Sequence, residues 1–133
     1  MYNVRVTLYI FLGETVEKYN AVREKSKSFA VRIIKLSQYL KEEKKETVLS
    51  TQLLKSGTSI GANVREGLVG MSRAEFRAKL NISLKEASET EYWLELLYEG
   101  KYLSKEQFDS IYKDCNELNR LLTSIVKNSK QTD

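Results

Sequence analysis

The chain has 133 residues, with 22 Lys and Arg against 18 Asp and Glu, no histidine, no proline and one cysteine. Without histidine there is no Ser/His/Asp or Cys/His catalytic arrangement and no Glu-x-x-His ligand set of the di-iron bundles. One thiol supplies neither an internal disulfide nor a structural zinc site. A proline-free chain with 41% hydrophobic and 30% charged residues reads as one all-helical domain in a reducing, cytoplasmic compartment, with no cofactor and no enzymatic activity expected.

Residues 1–18 read as an N-terminal extension ahead of a bundle domain at 19–130 and a tail at 131–133. Tyr2 to Leu12 is apolar behind a lone Arg5. The run is too short to span a bilayer and lacks a small-residue cleavage site, so a terminal strand, an extra packed segment or a mis-assigned start is expected, and no membrane contact.

The first helix is predicted from Glu14 or Val22 to Glu46, because Val22, Ser26, Phe29, Ile33, Leu36 and Leu40 recur at steps of three and four. Its charged end, Lys41 to Glu46, reads as a solvated last turn. Helix two opens near Thr47 with Leu49, Leu53, Ile60 and Val64 on one face, and Ser56, Gly57 and Gly67 fall in the same stripe. Gly57 and Gly61 each cost about 1 kcal/mol relative to alanine inside a helix, so the missing side chains point to close approach by another helix. The inner stripe of helix three is the partner this spacing suggests. A phosphate loop is disfavoured, since Lys55-Ser56 precedes the glycines and no strand leads into them. Asn63 reads as a buried amide that fixes register, and Arg65 and Glu66 as a bridge to another helix or another subunit, or as a solvated pair.

Ser72-Arg73-Ala74-Glu75 is a capping box that opens helix three, whose inner stripe is Phe76, Leu80, Ser83, Ala87, Thr90, Leu94 and Leu97. Ile82, Trp93 and Leu96 lie off that stripe, with Tyr92 and Tyr98 alongside. Helix three therefore has more apolar surface than one core uses, and these five residues are expected between subunits. Glu86, Glu89, Glu91 and Glu95 spread around the helix and suit solubility or a basic partner better than a metal. Gly100 ends helix three, and Ser104 to Gln107 is a second capping box. Phe108, Ile111, Tyr112, Cys115, Leu118, Leu122 and Ile125 then form the stripe of helix four, with Cys115 as a buried, inert thiol and a frayed polar end from Asn128. The expected fold is an antiparallel, up-and-down, left-handed four-helix bundle, with a three-helix bundle around a broken second helix as the alternative.

Charge is divided along the chain: residues 18–79 carry a net +8 and residues 80–109 a net −4. Lys25, Arg32 and Lys35 share a face of helix one, Lys55 and Arg65 lie on helix two, and Arg73, Arg77 and Lys79 crowd the start of helix three. Such a distribution fits a nucleic-acid footprint, or basic-to-acidic contact between subunits in a head-to-tail ring.

Two blocks carry a family resemblance. One is Gln52-x-x-x-Ser56-Gly57-Thr58-Ser59-Ile60-Gly61-Ala62-Asn63-Val64-Arg65-Glu66-Gly67, and the other runs from Phe76 to Leu94 through Ile82-Ser83-Leu84-Lys85-Glu86-Ala87-Ser88-Glu89-Thr90-Glu91-Tyr92-Trp93. Over residues 20–130 the chain resembles the small bacterial four-helix-bundle family first noticed in intervening sequences of 23S ribosomal RNA genes. The resemblance implies a left-handed bundle assembling into a homopentameric ring with no known active site. A related branch, accessory proteins of diversity-generating retroelements, implies RNA or DNA and a reverse transcriptase as partners.

Overall fold

The structure, a computed structural model, describes residues 15–69 and 72–130. The apolar run Tyr2 to Leu12 and the tail at 131–133 lie outside the described residues. Four helices follow in order: α1 Thr15–Glu42, α2 Val48–Val69, α3 Arg73–Glu99 and α4 Lys105–Lys130. Packing runs α1 on α2, α2 on α3, α3 on α4 and α4 back on α1, which makes an all-α four-helix bundle. No strand occurs among the described residues. Helix α2 runs unbroken through Gly57 and Gly61, so the three-helix alternative falls away.

The predicted stripes form the core. All seven stripe residues of α3 are buried, as are Ile111, Cys115, Leu118, Leu122 and Ile125 of α4. Each buried Leu, Ile or Phe contributes about 1.5–3 kcal/mol relative to exposure. On α1 the stripe extends down to Tyr19, which donates its hydroxyl to the Val64 carbonyl at 2.8 Å, and Leu36 sits at the margin. Contacts between α2 and α3 step backwards along α2 as they step forwards along α3: Lys79 meets Glu66, Ser83 donates to the Ile60 carbonyl at 2.7 Å, and Thr90 meets Ser56 at 2.9 Å.

The small residues of α2 serve two neighbours. A Cβ on Gly57 would lie 2.9 Å from Ile33, and one on Gly61 would lie 3.2 Å from the Ser26 hydroxyl, so these glycines admit α1. Only Gly67, with Leu80 at 3.3 Å, and the hydroxyl contacts of Ser56 follow the expected nesting against helix three.

The chain departs from expectation in three places. Helix α1 stops at Glu42, Lys45 takes φ 57°, and Glu46 turns inward. The Glu46 carboxylate accepts from the amides of Leu49 at 3.0 Å and Ser50 at 2.8 Å, which satisfies two orphan donors at the start of α2. Glu46 is thus the buried lock of the α1–α2 loop rather than part of a solvated turn. At the other terminus α4 continues to Lys130, with Ser129 buried and donating to the Val126 carbonyl at 2.9 Å, so no fraying begins at Asn128. Asn63 is half-buried and donates to the Ser59 carbonyl of its own helix at 2.9 Å, where a bond that fixes register between helices was expected. The capping serines behave as predicted: Ser72 accepts from the Glu75 amide at 3.1 Å, and Ser104 and Gln107 exchange bonds at 2.8 and 3.1 Å.

Candidate nucleic-acid interface

The eight basic residues singled out in the sequence do not share one face. Lys25 reaches the Glu117 carboxylate at 2.8 Å, while Arg32 reaches Asp114 at 2.5 Å and the Ser110 hydroxyl at 2.8 Å, so both tie α1 to α4. Lys79 ties α3 to Glu66 of α2 at 2.9 Å. Lys55 stands near Glu86, whose carboxyl is pushed up by burial and by Glu89, with Lys55 opposing. Arg73 and Arg77 are half-buried at the start of α3, and each has a partner. Lys35 is exposed beside the α1–α4 groove.

Arg65 joins a cluster of like charge, and its companions are two cations absent from the sequence-based set. On α1, Arg23, Lys27 and Ala30 follow at i, i+4 and i+7 and so fall on one face. Across from them α2 presents Thr58, Gly61, Ala62 and Arg65, and the two helices enclose a groove of about 260 Å³. Among the described residues three cations border it and no carboxylate does. Ser26, Ala30, Gly61 and Ala62 keep the floor low, and the Arg23 Nε is buried without a hydrogen-bond partner. The sequence signal was the Arg23/Lys27 spacing over small residues, obscured by Glu24 and Lys25, which belong to the opposite side of the helix. Such a groove suits a phosphate: it offers charge-assisted donors and close backbone approach.

The remaining chemistry is structural. Among the described residues no group of side chains suits a metal ion, and no helix is long and apolar enough to cross a membrane. Glu91 accepts from Asn116 and Asn119, both at 3.2 Å, and Glu95 accepts from the Tyr112 hydroxyl at 2.7 Å, which pushes that phenol up. Part of the acidic row of α3 is therefore committed to the α3–α4 seam. Burial likewise pushes up the Cys115 thiol, which lies 3.4 Å from the Ala87 carbonyl.

Of the five residues expected between subunits, Ile82 and Tyr92 are 39% and 53% exposed. Trp93 and Leu96 are half-buried, Trp93 packs against the core 5.2 Å from the Tyr92 ring, and its Nε1 is buried without a partner. Tyr98 is half-buried, and its ring stacks on Phe108 of α4 at 4.6 Å.

No functionally curated protein matches the chain. A crystal structure of a protein of unknown function from the S23 ribosomal protein family of Bacteroides thetaiotaomicron VPI-5482 is similar, with 57% identity and a TM-score of 0.82, covering 83% of this chain and 98% of that one. The model of the 23S rRNA-intervening sequence protein family matches residues 18–124, which reach from α1 into α4 and include both sequence blocks and the basic groove. The chain belongs to the 23S rRNA-intervening sequence protein family.

Proposed function

We propose that this chain is a non-enzymatic, cytoplasmic protein that binds RNA or DNA through the groove of Arg23, Lys27 and Arg65. The observation that carries the reading is a three-cation border without a carboxylate, in a molecule whose Lys25, Arg32 and Lys79 are already engaged by acids. The reversed order of contacts between α2 and α3 supports an antiparallel, up-and-down bundle. Exposed Ile82 and Tyr92 support assembly of copies into a ring, for which the family resemblance suggests five subunits and a left-handed bundle. A reverse transcriptase is the protein partner in keeping with the retroelement branch.

Titration of labelled single-stranded RNA over a series of salt concentrations tests the binding. Affinity is expected to fall with salt at a log–log slope of about −0.7 per neutralised phosphate. The Arg23→Gln, Lys27→Gln, Arg65→Gln triple variant is expected to flatten that slope. Absence of binding at low salt removes the reading in favour of a ring that contacts only protein, the alternative supported by the exposed apolar residues of α3.

A further inference from the structure

A second recess lies at the end of the bundle where α1 and α3 both terminate. A cavity of about 660 Å³ is lined by Tyr39, Tyr98 and Tyr102, with Lys44 from the α1–α2 loop and Lys101 from the α3–α4 loop. It adjoins a cavity of about 570 Å³ along α1 and α4, which shares Tyr39 and Gln107 and adds Lys35. Glu99 and Glu106 are the carboxylates that line the two cavities, and Arg32 is held by Asp114. Tyr98 is backed by Phe108 at an interplanar angle of 19°, and Tyr39 and Tyr102 are half-buried, so the rings are held in place.

The backbone here is costly in a particular way. Helix α3 ends with the Tyr102 amide on the Leu97 carbonyl at 2.8 Å and the Lys101 amide on the Tyr98 carbonyl at 3.0 Å, a pattern whose penultimate residue takes the left-handed conformation and is ordinarily glycine. Glycine is present one residue early, at Gly100 with φ −78°, and Lys101 holds the left-handed position at φ 69°. Helix α1 ends similarly: the Glu46 amide reaches the Leu40 carbonyl at 2.9 Å around Lys45 at φ 57°. Lys101 thus occupies a position where a side chain is disfavoured and lines the cavity of aromatic rings, while Lys45 takes the same conformation one residue after the lining Lys44; strain of this kind concentrates at ligand sites.

We propose that this recess binds a nucleotide: the base against the tyrosine rings, and the phosphate between Lys44 and Lys101. The ligand is a free mononucleotide or the unpaired end of a nucleic-acid strand, which present the same chemistry. The site is separate from the α1–α2 groove and does not depend on it.

Calorimetry with AMP and anisotropy with a labelled single-stranded oligoadenylate test the proposal on the full chain. Saturation by AMP assigns a free nucleotide, and saturation by the oligonucleotide alone assigns a strand end. Tyr102→Leu is expected to weaken either by about tenfold or more. Lys101→Gly is expected to raise the thermal midpoint and yet weaken binding, a combination that a purely structural lysine would not produce. Failure of both probes to bind overturns the proposal, as does a Lys101→Gly variant that binds like the wild type. Oligonucleotide binding abolished by Arg65→Gln but kept by Tyr102→Leu also overturns it, leaving the α1–α2 groove as the binding site.

Discussion

Gly57 and Gly61 look interchangeable in the sequence, yet α1 treats them differently. A methyl at Gly57 meets branched Ile33 carbons at 2.9 Å, which have no room to yield, whereas at Gly61 it meets a serine hydroxyl at 3.2 Å that turns on one bond. Gly57→Ala is therefore expected to destabilise the fold by about 1–3 kcal/mol through overpacking. Gly61→Ala is expected to be neutral or to gain up to about 1 kcal/mol of helix propensity. Chemical denaturation of the two variants checks the contrast, and equal losses would show that both positions are equally tight. The sequence made the need for small residues legible through their stripe, but not which helix they admit. Periodicity reports a face, whereas the partner depends on how the loops place the neighbouring helices. The same gap hid Arg23 and Lys27, whose charges become a cluster only when Arg65 is brought across from α2.

Elements were the most legible level. The seven-residue stripe of α3 and both capping serines were recoverable because helical period and cap chemistry are local. The α1–α2 connection was less so. Glu46 sits in a run of charges and looks solvated, but the left-handed turn at Lys45 swings its carboxylate onto two α2 amides. Glu46→Ala is expected to cost about 1–2 kcal/mol, comparable to loss of an N-cap, and Glu43→Ala close to nothing. Thermal unfolding of the pair checks this, and similar midpoints would mean that water replaces the carboxylate at little cost.

At the scale of the molecule, the apolar excess of α3 was visible as residues off the inner stripe, but the division of labour within it was not. Trp93 rests on the core and Tyr98 on Phe108, so replacing either perturbs the bundle itself. Ile82 and Tyr92 are the clean probes. The double variant Ile82→Asp, Tyr92→Asp is expected to shift the assembly towards monomer in light scattering while helical content stays unchanged. A wild type that is already monomeric at micromolar concentration removes the α3 face as an interface.

The four seams of the bundle also differ in what holds them. Between α1 and α2, and between α2 and α3, backbones approach through glycine, serine and buried hydroxyls, which dissolved salt does not reach, with the exposed Lys79–Glu66 pair at one end of the α2–α3 seam. Between α1 and α4 the polar ties are the half-buried bond from Lys18 to the Ser124 hydroxyl at 2.7 Å and two exposed ion pairs, Lys25 with Glu117 and Arg32 with Asp114, each pair worth about 0.2–1 kcal/mol and open to screening. Opening of that seam uncovers the inner face of α4, on which Cys115 is buried, and this makes the lone thiol a clock for breathing of the native state. Modification of Cys115 by a thiol reagent is expected to be slow, with a rate that rises as sodium chloride is added well below any unfolding transition. A rate indifferent to salt would mean that the thiol is released only by global unfolding. The weakest edge of this bundle is thus adjustable by ionic strength, the same variable that governs how tightly a phosphate backbone would be held on the other side of α1.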